Sequence, residues 1–262
     1  EISRGLKKGI IRVYEGKKGI TVDLSQIKDD ELLYSIPANL DAKCRPRARD
    51  PKSGDPDEII GTDESGKGDY FGPLVIAGVY VNGDIGSELK RLGVKDSKKL
   101  SDRQIETLSG KIKEMCRYSI VTIGNDKYNE LYLRVGNLNR MLAWGHARAI
   151  ENLLSIVDCK DALSDKFGDS SLIENALMEK GKNINLRQRP RAEENVAVAA
   201  ASILARNEFV SRMDNLSTKY GIKFPKGASS GIIEAAREFT MKYGMDELRY
   251  VAKLHFKTTD AV

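Results

Sequence analysis

Two runs of apolar residues and one capping-box sequence predict two strands and a helix in the central part of the chain. Leu74–Val81 is a nearly continuous run of branched and small apolar residues, and Tyr118–Ile123 is a second run rich in β-branched residues. Runs of about four to eight such residues are typical of buried strands. Between them, Ser101 followed by Gln104 forms a capping-box sequence, which predicts a helix that continues to about Met115.

The C-terminal half changes to a helical period. Asn137–Ile156 places its apolar side chains on one broad helical face, and Asp161–Asp165 predicts a short strand. Gly221 is a suitable left-handed cap for the end of a preceding helix. Three further helices are predicted, over Glu193–Tyr220, Gly231–Tyr243 and Met245–Leu254. Strands followed by alternating helices predict an α/β fold.

The N-terminal residues 1–40 are predicted to form a small β-rich appendage. Gly9–Tyr14 and Gly19–Leu24 are β-branched runs separated by four residues that include a glycine, a pattern typical of a hairpin. Residues 41–57 are rich in Pro, Gly and charge, which predicts a linker. The main domain is therefore expected to cover residues 58–262.

The composition indicates a soluble globular protein. Of 262 residues, 40% are apolar and 31% are charged, and the length fits one large domain with a small appendage. No apolar run approaches the roughly 20 residues that cross a bilayer, and no signal-peptide pattern opens the chain. The formal net charge of +5 permits a polyanionic partner without requiring one.

The cysteine and histidine content limits the metal chemistry. Three cysteines, far apart and odd in number, fit neither a disulfide framework nor a structural zinc site. A reducing, cytoplasmic setting is therefore expected. Because the chain has only two histidines, any metal is expected on carboxylates, which favours Mg²⁺ or Mn²⁺ over zinc.

The segment G-T-D-E-S-G-K-G-D at 61–69 allows three interpretations. Its first seven residues satisfy G-x-x-x-x-G-K, most of a P-loop. However, the hydroxyl residue that should follow the lysine is replaced by Gly68, and Asp63 and Glu64 would repel phosphates. In the second interpretation these carboxylates bind divalent metal for phosphoryl transfer. A charged surface turn is the third.

Neighbouring residues of a strand point to opposite faces of the sheet. Asp63 and Glu64 are therefore expected on opposite faces unless the backbone bends. The glycines at 66, 68 and 72 permit such a bend and a close approach of the backbone to a ligand.

Several sequence blocks resemble the type 2 ribonuclease H family. In chain order they are D-E-S-G-K-G-D-Y-F-G-P at 63–73, K-D-S-K-K-L at 95–100, N-L-N and A-W-G-H-A-R-A-I within 137–150, A-A-A-S-I at 199–203 and V-A-K-L-H-F-K at 251–257. They stand in the family's order across about three quarters of the chain. The G-K-G sequence resembles the ribonuclease HIII branch, where the HII branch usually has G-R-G.

This resemblance implies a ribonuclease H-like α/β core with C-terminal helices. It implies an endonuclease that cleaves the RNA strand of RNA–DNA hybrids, leaving 3′-hydroxyl and 5′-phosphate ends. It also implies four carboxylates that bind one or two Mg²⁺ or Mn²⁺ ions: Asp63, Glu64, Asp165 and Glu193. Asp165 precedes Lys166, where the family usually has Gln, and Glu194 leaves the register of the fourth carboxylate open.

The residues after Glu194 support the fourth position independently. They are small, V-A-V-A-A-A, so that a helix there can pack closely on a sheet and bring an N-terminal carboxylate to the strand ends. A helix N-terminus with favourable acidic residues explains the same pattern without a metal.

The resemblance also implies residues that contact the substrate. The family's glycine-rich turn contacts the 2′-hydroxyl of the RNA, which here corresponds to Ser65, Gly66, Lys67 and Gly68. Lys98 and Lys99 precede a predicted helix and are expected to bind phosphate, although a solvated basic turn explains them equally well. Members of the HIII branch typically carry an N-terminal domain resembling the TATA-binding protein, and residues 1–40 are a candidate for a truncated version.

The aromatic and histidine residues are expected to be structural. Trp144 and His146 lie within a helical pattern and are predicted to pack in the core. His146 and His255 lack the spacing of a metal-ligand pair. Tyr70 and Phe71 are expected to pack on the sheet.

We expect a monomer that acts on an RNA–DNA hybrid without an organic cofactor or a membrane. The alternatives are an HII-type enzyme that incises at single embedded ribonucleotides, and a non-catalytic hybrid-binding protein, which would lack one carboxylate. A P-loop nucleotide hydrolase is the remaining alternative.

Overall fold

The computed structural model describes most of the chain as two compact units, residues 1–54 and 55–262. The described residues are 2–4, 7–9, 12–16, 19–23, 55–95, 97–168, 171–227 and 230–262. No helix within these ranges is long and apolar enough to cross a membrane.

The N-terminal unit contains two antiparallel strand pairs. Strands β1 (Ile2–Arg4) and β2 (Lys7–Gly9) form the first pair, and β3 (Arg12–Gly16) and β4 (Gly19–Asp23) form the second. The second pair overlaps the two runs from which a hairpin was predicted, with Gly16 opposite Gly19. Most of the predicted linker lies outside the described residues.

The second unit is built on a mixed five-stranded sheet, as far as the described residues extend. Its strands are β5 (Ile59–Ser65), β6 (Leu74–Val81), β7 (Arg117–Ile123), β8 (Asp161–Asp165) and β9 (Asn185–Arg189). The order across the sheet is β7-β6-β5-β8-β9. The first three strands are antiparallel neighbours, whereas β5, β8 and β9 run parallel, so that β5 is the central strand.

Helices cover both faces of this sheet. They are α1 (Gly83–Arg91), α2 (Asp102–Met115), α3 (Asn125–Val135), α4 (Leu138–Leu154), α5 (Ser171–Ala176), α6 (Val196–Tyr220) and α7 (Ser230–Tyr243). Helices α1, α2 and α6 share one apolar core with the sheet, and α3, α4 and α5 form cores on the opposite face. The predicted α/β class is confirmed, and α2 carries the predicted capping box.

Small residues let α6 and α4 approach the sheet closely. A Cβ added at Gly61 would lie 2.3 Å from the backbone of Ala197 at the start of α6. On the other face, a Cβ at Gly145 of α4 would lie 2.5 Å from Ile76. The close packing expected from the small-residue run is therefore present, and it leaves no room for larger side chains.

One predicted helix begins later than expected. Helix α6 begins at Val196 instead of Glu193, because Asn195 has an extended backbone and its side chain caps the N–H of Ala197 at 2.8 Å. Glu193 lies before it in a short 3₁₀ turn, Ala192–Glu194.

The predicted helix at Met245–Leu254 is wrong. Only a 3₁₀ turn forms there, at Asp246–Tyr250. The following backbone pairs instead with the segment after β5: the N–H of Gly72 donates to Val251, and the N–H of Lys253 donates to Tyr70. These backbone hydrogen bonds draw the chain out of the helical conformation.

Candidate active site

The central strand β5 carries Asp63 and Glu64 close to its end. In the sheet Asp63 lies opposite Ala77 and Glu64 opposite Ile76 of β6. On the other side, β8 runs parallel with Thr62 beside Ser164, so that Asp165 is the next residue of β8. Because parallel strands end at the same edge of a sheet, Asp165 lies near Asp63, and its charge acts on that carboxyl.

Asp63 points to the α6 face. Its carboxyl is hydrogen-bonded to Ser202 of α6, and Oδ1 accepts the N–H of Glu64 at 2.8 Å. Burial, followed by the charges of Glu64 and Asp165, raises the pKa of Asp63 to about 7. The ionised form of this carboxyl is therefore disfavoured, and Asp63 retains a proton to a higher pH than an exposed aspartate does.

Glu64 points to the α4 face, as the alternation of a strand requires. Its Oε2 lies 3.2 Å from Nε2 of His146, and its Oε1 lies 3.5 Å from Nζ of Lys67. Burial alone would raise the pKa of Glu64, but the hydrogen bond and charge of His146, together with Lys67, lower it below its usual value. The two neighbouring carboxyls thus differ in environment.

Asp165 connects the sheet to the turn that precedes α6. Its Oδ1 accepts the N–H of Ala192 at 3.3 Å, and Ala192 adjoins Glu193 in the 3₁₀ turn. The backbone of Arg191, with φ of 58°, adopts the left-handed region that non-glycine residues seldom occupy. Glu193 itself is half-buried and lines a cavity together with Lys90 and Lys95.

An ion pair holds this turn against the sheet. The carboxylate of Asp55 accepts two hydrogen bonds from Arg189, at 2.9 and 2.8 Å, and one from Asn195 at 2.7 Å. Burial raises the pKa of Asp55, but the hydrogen bonds from Asn195 and Arg189 outweigh it and lower the pKa. Asp55, which falls in the segment predicted as linker, therefore packs within the second unit.

The glycine-rich turn joins β5 to β6 and is held from outside the sheet. Nζ of Lys253, which is fully buried, donates to the carbonyls of Asp69 and Gly72 at 2.8 and 2.6 Å. Gly66 has φ of 86°, and a Cβ there would lie 2.2 Å from the carbonyl oxygen of Pro73. At Gly68, by contrast, an added Cβ would meet nothing within 4 Å. Since this turn leads into an antiparallel strand and not a helix, the P-loop alternative is wrong.

The lysine segment is connected to Asp63 through hydroxyl groups. Ser97 begins a 3₁₀ turn that includes Lys98 and Lys99. Its Oγ lies 2.8 Å from Oγ of Ser202, which in turn bonds Asp63. The side chain of Ser97 therefore links this segment to the candidate site, while the side chain of Lys98 is exposed.

Three buried polar residues have contacts at the site that the sequence did not predict: His146, Ser202 and Lys253. His146 was expected to pack in the core; it is fully buried, but it contacts Glu64. The signal that could have predicted this contact is the position of His146 on the inward face of the helix that covers the end of β5.

Trp144 was expected in the core and is instead 44% exposed. Tyr70 and Phe71 are fully buried, as expected.

The carboxylates fit a hard divalent cation by their chemistry. Asp63, Glu64 and Asp165 offer only oxygen donors, which Mg²⁺ and Mn²⁺ prefer, and the raised pKa of Asp63 marks charge that a cation would stabilise. Among the residues the structure describes, no three Asp, Glu, His or Cys side chains already surround one point. The fold thus brings three candidate ligands to one edge of the sheet, without a preformed cage.

A mixed sheet flanked by helices, with acidic residues at the ends of β5 and β8, agrees with the ribonuclease H-like core that the sequence blocks imply. The family model described as Ribonuclease HII matches residues 60–259. The chain therefore belongs to the ribonuclease HII family, whose members are metal-dependent ribonucleases H.

Similar proteins agree with this assignment. A protein of Protochlamydia amoebophila named Ribonuclease HIII is 50% identical over 78% of this chain and 67% of its own length. The Ribonuclease HIII of Chlamydia felis is 40% identical over 89% of this chain and 75% of its own length. The crystal structure of Bst-RNase HIII in complex with Mn²⁺ superposes with a TM-score of 0.74 at 30% identity, covering 98% of this chain and 86% of that chain.

Proposed function

We propose that this protein is an endonuclease that hydrolyses the RNA strand of RNA–DNA hybrids and leaves 3′-hydroxyl and 5′-phosphate ends. One observation carries the proposal: in a chain of the ribonuclease HII family, the adjacent Asp63 and Glu64 end the central strand beside Asp165 of the parallel strand β8. The similarity to proteins named Ribonuclease HIII supports the hybrid as the substrate.

The proposed ligands of one or two Mg²⁺ or Mn²⁺ ions are Asp63, Glu64, Asp165 and Glu193. When bound, such ions lower the pKa of water and stabilise charge on a phosphate and its leaving oxygen. Ser202 and the N–H of Glu64 orient the carboxyl of Asp63. Asp165 orients the turn that carries Glu193, through its bond to Ala192.

The glycine-rich turn is the proposed contact to the ribose. The open space beside Gly68 leaves room for a ligand against the backbone. Lys253 anchors the end of the turn and so holds Ser65, Gly66 and Lys67 in position.

Lys67, whose side chain is 38% exposed beside Glu64, is proposed to contact phosphate at the site. We assign Lys98 and Lys99 to the neighbouring phosphates.

The proposal also covers the oligomeric state, the cellular location and the role of residues 1–40. We infer a monomeric, cytoplasmic enzyme without an organic cofactor. The two described cysteines, Cys116 and Cys159, are free and buried, which suits a reducing compartment. Residues 1–40 are proposed as a hybrid-binding region that is a shortened TATA-binding-protein-like domain; their lysines and arginines support this role.

The test is cleavage of two substrates by the full chain, with Mg²⁺ and Mn²⁺ in parallel and EDTA as the blank. One substrate is a uniform RNA–DNA hybrid, and the other is a DNA duplex with a single embedded ribonucleotide. We expect efficient cleavage throughout the uniform hybrid, because the similar proteins are named Ribonuclease HIII. Preferred incision at the single ribonucleotide would instead show an HII-type enzyme. Hybrid binding without cleavage would show a non-catalytic protein.

A further inference from the structure

His146 contacts both strands that carry the candidate catalytic carboxylates. It lies on α4, and none of its surface is exposed. Its Nε2 is 3.2 Å from Oε2 of Glu64, and its Nδ1 is 2.9 Å from Oγ1 of Thr62, both on β5. From β8, Oγ of Ser164 lies 3.4 Å from Nδ1. The ring of Phe167, two residues after β8, stacks on the imidazole at a centroid distance of 4.9 Å.

The contacts of His146 determine which of its ring nitrogens donates a hydrogen bond and which accepts one. An ionised carboxylate only accepts hydrogen bonds, so Nε2 must carry a hydrogen and donate it to Glu64. When that is the ring's single hydrogen, Nδ1 is the acceptor and Oγ1 of Thr62 donates to it. The hydroxyl of Ser164 is bonded to the carbonyl of its neighbour Asp165 at 3.1 Å, which leaves Thr62 as the main partner of Nδ1.

We propose that His146 is a positioning residue that fixes the Glu64 carboxylate for metal binding. The Nε2–H holds Oε2 and so leaves Oε1 as the oxygen that turns toward Lys67 and the open edge of the sheet. The proposal rests on the proposed function, since it assigns Glu64 to the metal.

A buried histidine suits this role better than a lysine or arginine would. An imidazole donates one directed hydrogen bond from a rigid ring, whereas lysine and arginine carry a permanent charge on a long, flexible side chain. Its ring is held on three sides, by Thr62, Ser164 and Phe167, so the donor cannot swing away. Because Ser164 and Phe167 flank Asp165, the same ring also couples the position of Glu64 to the strand that carries Asp165.

The experiment compares His146→Phe with His146→Gln. Phenylalanine keeps the aromatic stacking on Phe167 but removes the donor, whereas glutamine retains an N–H that can reach Glu64. Partners of metal-binding groups typically contribute about 10–100-fold in metal affinity or activity. For His146→Phe we therefore expect kcat on the hybrid to fall about 10–100-fold with little change in KM. We expect Mn²⁺ affinity, measured calorimetrically without hybrid, to fall about tenfold, and His146→Gln to recover part of both.

The matched control is His255→Gln. His255 is the second histidine of the chain and stacks on Tyr132 at 4.1 Å. We expect this variant to retain kcat and Mn²⁺ affinity within about twofold, since the other histidine makes the contact to Glu64. If folded His146→Phe also retains both within about twofold, the proposal is wrong.

A spectroscopic readout keeps the proposal testable if His146→Phe does not fold. In His255→Gln the imidazole nitrogen signals of ¹⁵N-labelled protein belong to His146 alone. We expect the metal-free protein to show a hydrogen on Nε2, and Glu64→Gln to shift that signal. A ring with its hydrogen only on Nδ1 would overturn the proposal even if the wild-type protein cleaves hybrids. Absence of hybrid cleavage by the wild-type protein would instead count against the proposed function.

Discussion

The two faces of β5 give two neighbouring carboxyls opposite environments. On the α6 face, Asp63 meets small apolar residues and Ser202, and its pKa is raised to about 7. On the α4 face, Glu64 meets His146 and Lys67, and its pKa is lowered. The α6 face therefore disfavours the ionised form of its carboxyl, and the α4 face stabilises it. The difference shows that two adjacent acidic residues acquire different environments when the strand alternation separates them.

The comparison is tested most strongly by removing the charge of Asp63. We expect Asp63→Asn to abolish cleavage of the hybrid, with a loss of at least about 10³-fold in kcat, because it removes a proposed metal ligand while keeping the shape of the side chain. Steady-state kinetics on the uniform hybrid measure the loss. Hybrid binding, measured by fluorescence anisotropy, should survive. Cleavage near the wild-type rate would contradict the assignment of the metal site.

A second test compares the packing of the two faces. Gly61→Ala places a Cβ 2.3 Å from backbone atoms of α6, which cannot give way without moving the helix. Gly78→Ala, on the α4 face, meets the flexible Leu153 side chain at 3.0 Å. We expect Gly61→Ala to lower the free energy of unfolding by about 3 kcal/mol, and Gly78→Ala by about 1 kcal/mol or less. Urea unfolding of both variants provides the measurement. Equal losses would show that the two faces are packed equally tightly.

The third test uses pH. Since the pKa of Asp63 rises from 3.8 to about 7 on folding, the folded protein retains a proton there that the unfolded chain releases. The stabilisation from this proton is fully present below about pH 4 and is lost as pH rises through about 7. Metal-free wild-type protein should therefore lose stability relative to Asp63→Asn across this window, by about 4 kcal/mol.

Urea unfolding in EDTA at a series of pH values checks the sign. The comparison with Asp63→Asn removes the contributions of other carboxyls, such as Asp55 and Asp102, whose pKa values are lowered and whose stabilisation is instead lost on acidification. A difference between the two proteins that stays constant with pH would contradict the raised pKa.

Much of the fold was predictable because its elements are locally encoded. The run Leu74–Val81 is a strand over the predicted range, and the capping box at Ser101 begins α2 as expected. Strand β9, Asn185–Arg189, was not predicted, because its sequence N-L-R-Q-R lacks a strand pattern. It forms by pairing with β8 along the whole of Asp161–Asp165, and this partner is visible only in three dimensions.

The candidate site was predictable in part. The family motif singled out Asp63 and Glu64, and strand alternation predicted their opposite faces. Glu193 was expected at the first turn of a long helix, but it precedes that helix, since Asn195 caps it. The role of His146 was not predicted, because its partners Thr62 and Glu64 lie more than eighty positions away in sequence.

The sequence by itself determined the α/β class, the strands and helices with strong periodicity, and the acidic strand end that defines the family. Only the tertiary structure decided which charges are compensated. A pKa depends on burial and on neighbours within a few ångströms, and these neighbours come from α4, α6 and β8, which the linear pattern does not bring together. Local periodicity determines where a strand forms, whereas long-range packing determines what its side chains meet.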